Sequence, residues 1–169
     1  LFSKQIVGNE NSTISELIKK LGNSDWVKTG LQYLPKEEIQ ENATCPFCQE
    51  KTISSSLIEN IKNYFDATYE ADINVLKSFL EKYTQSIKSI TSKSIFEANP
   101  KFETYKKDFE IKHNVFTKIV EENKKLIGDK INTPSVSVTL KSSTNALQEL
   151  NEEIRKIKVL IAKQKKNYI

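Results

Sequence analysis

INVLKSFLEKYTQSIKSI, residues 73–90, decides how this 169-residue chain is read. Ile73, Leu76, Leu80, Tyr83, Ile87 and Ile90 recur in alternating steps of three and four, the heptad seam of a helix that packs on another helix. Upstream, Ser56-Leu57-Ile58-Glu59 reads as a capping box, and no glycine or proline interrupts the chain from there to Phe96. One helix over about 56–96 is the expectation. Downstream, Asn99-Pro100 offers an N-cap before a proline at the first helical position, which predicts a turn and a returning helix. That helix carries Phe102, Tyr105, Phe109, Lys112, Phe116, Ile119, Asn123 and Leu126 in the same rhythm, with Gly128 as its stop. Lys112 and Asn123 are polar seam positions of the kind that set register.

Residues 129–141 contain Pro134 and then alternate Val136, Val138 and Leu140, as an extended connector does. Ser142-Ser143-Thr144 caps a last helix whose seam is Leu147, Leu150, Ile154, Ile157 and Ile161, followed by Gln164 and Tyr168. At the other end, Thr13-Ile14-Ser15-Glu16 reads as a capping box for a short helix over about 13–21, stopped by Gly22. Ser24-Asp25 caps a second, with Trp26, Val27, Leu31 and Leu34 at helical spacing before Pro35, and Trp26 is expected to pack the two together. The fold class is therefore mostly α: a long antiparallel coiled-coil or helical-hairpin module with a short CPFC loop and two small N-terminal helices. Three segments follow, 1–55 with the small helices and the loop, 56–128 with the hairpin, and 129–169 with the connector and C-terminal coiled-coil helix. The seams suit extended coiled-coil arms and a compact bundle alike.

Hydrophobic residues make up 37% and charged residues 28%, with four glycines and four prolines, so elongated helices fit better than a compact enzyme core or an all-β fold. No run of ~20 apolar residues suggests a membrane span. The 26 basic residues exceed the 22 acidic ones by only four, and Arg155 is the sole arginine. Lysine lacks the planar fork that favours base readout, so a lysine-rich nucleic-acid-binding arm is an alternative rather than the first reading. The chain opens at Leu1 and contains no methionine, which reads as an internal piece of a longer protein. With no basic-then-apolar leader and the two cysteines side by side, a reducing, cytoplasmic compartment is expected.

Those cysteines lie in Asn42-Ala43-Thr44-Cys45-Pro46-Phe47-Cys48-Gln49, where helical periodicity fails. Two thiolates separated by two residues can share one Zn²⁺ at ~2.3 Å each, with backbone amides donating to the sulfurs. Zinc takes four ligands, and Cys45 and Cys48 are the only cysteines. A second copy of the loop across a two-fold axis, or the lone His113 with a carboxylate, would complete the set. The first is favoured, because His113 lies in a helical seam region and reads as a half-buried helix residue. CPFC is also the dithiol pattern of glutaredoxin-like oxidoreductases, but these need a strand just before the motif and a βαβ scaffold, and the polar stretch from Pro35 to Thr44 has no strand run. No GxxxxGK[ST], HExxH or GxSxG pattern occurs, so this piece is expected to be non-catalytic.

Trp26-Val27 with Gly30-Leu31, the Cys45-Pro46-Phe47-Cys48-Gln49 element, Tyr64-Phe65-Asp66 and Tyr69-Glu70 together resemble the middle region of a bacterial family of ABC/SMC-like AAA ATPases that includes anticodon nucleases of the PrrC and RloC type. The resemblance covers roughly residues 13–169 and is most specific at the cysteines. It implies that Cys45 and Cys48 are ligands of a zinc-hook-like element, with the ion shared between two chains. It implies further that ATP binds only in head domains of the parent chain, and that any contact with nucleic acid is made through the parent. Self-association would run through the cysteine loop or the helical seams. One departure is plain: 44 residues precede Cys45 and 121 follow Cys48, whereas a repair-type hook sits midway between comparable arms.

Overall fold

A computed structural model describes residues 1–34, 42–90, 93–99 and 102–166. Its helices are α1 (Ser15–Leu21), α2 (Ser24–Gly30), α3 (Ser55–Tyr64), α4 (Ala67–Ser89), α5 (Lys93–Glu97), α6 (Lys106–Asn132) and α7 (Thr144–Lys166). A two-stranded hairpin, β1 (Ala43–Thr44) and β2 (Lys51–Ile53), lies between α2 and α3. The fold is mostly α, as the heptad patterns require. Among the described residues, no helix is long and apolar enough to cross a membrane.

The chain divides into two units, each drawing on two stretches of sequence. The first comprises Leu1–Ser78 and Gly128–Val138, the second Phe79–Ile127 and Thr139–Ile169, so the chain passes between them inside α4, inside α6 and in the connector before α7. In the first unit Ile6, Ile18, Tyr64, Phe65, Tyr69, Ile73 and Leu76 form the core, with Val27 and Leu31 packed on it. The connector runs beside the N-terminal segment: the Ile6 N–H donates to Pro134 O at 2.9 Å and the Val138 N–H to Phe2 O at 3.0 Å. Lys130 pins this pairing, its wholly buried ammonium donating to the carbonyls of Lys4 (2.6 Å), Pro134 (2.6 Å) and Val136 (2.7 Å). Burial pushes its pKa down, and the negative charge of Asp25 opposes the shift.

In the second unit the seams converge on one core of Phe96, Phe102, Phe109, Phe116, Val120, Leu150, Ile154 and Ile157, with Tyr83, Ile87 and Ile90 packed against it. Asn123 pairs with Tyr83 and Lys141, while Lys112 reaches Glu149 at 2.5 Å. The 123–141 and 112–149 pairs run in opposite order along the chain, so α6 is antiparallel to α7. Asn123 does what a polar seam residue does: its amide donates to Lys141 O at 2.9 Å and to the Tyr83 hydroxyl at 3.2 Å, and its oxygen accepts from Lys141 N at 2.8 Å. Past Phe116 the buried row is Val120, Asn123, Ile127 and Lys130, one residue on from the expected Ile119 and Leu126.

Several local expectations are corrected. The helix expected over 56–96 breaks at Phe65-Asp66, where the Asp66 carboxylate accepts from the amides of Thr68 (3.0 Å) and Tyr69 (3.1 Å) and so caps α4. The break turns Tyr64, Phe65 and Tyr69 inward together. The cap of α3 is Ser54, whose oxygen accepts from Leu57 N at 3.2 Å, two residues before the expected Ser56. At α1 no side chain caps; Ser15 instead donates to the carbonyls of Glu10 and Ser12. Gly22 does adopt the left-handed stop, at φ 61°. Gly128 does not end α6, which continues to Asn132 because Lys130 is held by its buried hydrogen bond to Pro134 O and Ile131 packs on the first core. Pro100, Tyr168 and the Gln164 side chain lie outside the described residues.

Candidate functional site

The cysteine pair sits at the tip of the hairpin. Thr44, Thr52 and Ile53 are β-branched and suit extended backbone, and the buried Ile53 anchors β2 while Ala43 pairs across with it. The register shifts between Ala43 and Thr44, which faces Lys51. The Cys45 N–H then closes the loop onto Glu50 O at 2.7 Å. Inside it, Pro46 presets the turn and the Gln49 N–H returns to Cys45 O at 3.0 Å. Gln49 takes φ 66°, the left-handed conformation needed to swing the chain back into β2, and its side-chain amide donates to Pro46 O at 3.3 Å.

This turn aims backbone at sulfur. The N–H groups of Cys48 and Phe47, in that order of effect, hold the Cys45 thiol below its ordinary pKa against the opposing pull of desolvation. The Cys48 side chain and Thr52 add to the lowering. Cys48 is exposed and lies 4.0 Å from the Thr52 hydroxyl. A thiolate supported by amides is a soft donor for zinc, and two of them on one turn make half of a tetrahedral set. Among the described residues, no group of three or more His, Cys, Asp or Glu side chains gathers to hold a metal ion. His113 lies in the second unit, its Nδ1 3.5 Å from the Thr117 hydroxyl and its ring stacked on Phe109.

A strand directly before Cys45 is not expected from the sequence, yet β1 is there. It pairs with β2 in a hairpin, and Cys45 opens a turn rather than a helix. The thiol therefore lacks the helix N-terminus on which a glutaredoxin-like nucleophile relies.

Trp26 is placed differently from its expected role between the small helices. It is 58% exposed on α2, and its ring meets that of Phe47 at 5.6 Å between centroids. The core contacts of α2 are made by Val27 instead. Sequence reading missed this pair because the two residues are 21 positions apart with no shared periodicity.

A family model described as AAA domain matches residues 1–168. No curated protein and no solved structure matches the chain.

Proposed function

The chain belongs to the AAA-domain family, and from that premise we propose that it is a helical, non-catalytic module of a larger bacterial ATPase of the anticodon-nuclease or SMC-like type. Cys45 and Cys48 supply two of four ligands to a zinc ion, and the same turn of a second copy supplies the others. ATP is handled by head domains of the parent chain, and contact with tRNA or DNA is made through the parent, in the cytoplasm. The module joins copies mechanically.

The observation that carries this reading is the Cys45 turn, in which the Cys48 and Phe47 amides support one thiolate while the left-handed Gln49 leaves the second exposed beside it. Bound there, zinc would supply a crosslink rather than a reaction, since all four positions would be filled by thiolates.

The test is metal content and solution mass of protein purified without chelator. About 0.5 zinc per chain and a dimeric mass are expected, four thiolates of two chains surrounding one ion. Cys45→Ser and Cys48→Ser should each abolish both, and His113→Ala neither. A monomer with one zinc per chain would refute the shared site, and a metal-free protein that reduces a disulfide substrate would establish the oxidoreductase instead.

A further inference from the structure

We propose that Trp26 is a positioning residue for the Cys45–Cys48 turn, acting through Phe47. Phe47 stands between the two thiols in sequence, and its backbone N–H is one of the two amides aimed at the Cys45 sulfur. Its side chain is 65% exposed, and the ring contact that the structure gives it is with Trp26 at 5.6 Å, tilted by 38°. Holding the ring restricts the excursions of the same residue's backbone, and hence the wander of its amide. The hairpin tip alone offers little such restraint, because Pro46, Phe47, Cys48 and Gln49 are all exposed.

Trp26 can serve as the fixed partner because α2 is held on both sides of it. The Asp25 carboxylate accepts from the Ser135 hydroxyl at 2.7 Å and from the Ser135 N–H at 3.3 Å. Val27 packs on the first core, and the Lys28 ammonium lies 4.9 Å from the Phe65 ring centroid and 5.0 Å from that of Tyr69. Neighbours at 25, 27 and 28 thus anchor the helix while Trp26 reaches out to the turn. An exposed tryptophan with this placement has no core to fill; its contact is with the loop that carries the thiols. Supports of this kind, one residue removed from the ligand, commonly change metal affinity by about tenfold or more.

The role is independent of metal in its first consequence and rests on the zinc reading only in its second. The first is read by amide hydrogen exchange in metal-free protein. Trp26→Ala should speed exchange of the Phe47 and Cys48 amides by about threefold to tenfold, the scale of one aromatic pair. Trp26→Phe should restore the slow rate, and Leu17→Ala, another 60% exposed apolar residue of the same unit, should leave it unchanged. The second is zinc affinity measured against a chromophoric chelator, expected to fall about tenfold in Trp26→Ala and to recover in Trp26→Phe. Wild-type exchange rates in Trp26→Ala would overturn the positioning role, and so would equal loosening by Leu17→Ala. Faster exchange with no Cys45-dependent zinc uptake by the wild-type protein would leave the positioning role standing and reject the zinc site.

Discussion

Replacing Lys130 with methionine removes a buried charge and three hydrogen bonds at nearly constant volume. The ammonium donates to Lys4 O, Pro134 O and Val136 O at 2.6–2.7 Å. Pro134 O keeps a donor in the variant, the Ile6 N–H at 2.9 Å. The carbonyls of Lys4 and Val136 lose the lysine bond; both are only partly buried, so each loss falls at the low end of the ~1–3 kcal/mol for an acceptor left unmade. The gross loss is then roughly 2–3 kcal/mol, reduced because the variant no longer strips water from an ammonium. A net destabilisation of about 1–2 kcal/mol follows, concentrated where the N-terminal segment meets the connector. Urea unfolding followed by Trp26 fluorescence measures it within the first unit, with Lys125→Met on the exposed side of α6 as reference, expected within ~0.5 kcal/mol of wild type. Hydrogen exchange should show the Ile6 and Val138 amides released together. A Lys130→Met midpoint equal to that of Lys125→Met, or above wild type, would refute the claim that the carbonyl cage needs its cation.

Asn123→Leu should cost about 1–3 kcal/mol, since the Lys141 N–H and C=O both lose their partner on α6; an unchanged denaturation midpoint would remove Asn123 from its register-setting role. Gly8→Ala should destabilise the first unit by about 1–3 kcal/mol, because an added Cβ would stand 2.4 Å from the Tyr64 ring and 2.5 Å from its carbonyl; a thermal melt matching wild type would show that the contact yields freely. The Tyr69 phenol is pushed up to about 12 by burial first, then by the charges of Asp25 and Glu70. The unfolded chain gives up that proton near pH ~10 while the folded one keeps it, so stability should fall between about pH 10 and 12 by roughly 2–3 kcal/mol. Tyr69→Phe should flatten that decline; an identical alkaline slope in the variant would assign it to other groups.

The seams of α6 and α7 were readable because a helix repeats every 3.6 residues whatever surrounds it. Phe109, Phe116, Leu150, Ile154 and Ile157 stand at that spacing and are all buried. The cysteine pair was readable too, as residue identity, and so was the left-handed stop at Gly22. The ends and breaks of helices were read less well. Asp66 interrupts a stretch with good local helix propensity because Tyr64, Phe65 and Tyr69 reach a shared core only when the chain bends there. Gly128 fails to stop α6 because a glycine in a helix costs about 1 kcal/mol, less than the packing of Ile131 and the three hydrogen bonds of Lys130 beyond it recover. Lys130 sits in a cage built from Lys4, 126 positions away, and Trp26 meets a ring 21 positions on. Periodicity is a property of neighbours along the chain and can be counted there. Which amide faces a sulfur, which lysine loses its water and where a helix bends are set by groups brought together only by folding, through burial energies that outweigh local propensity.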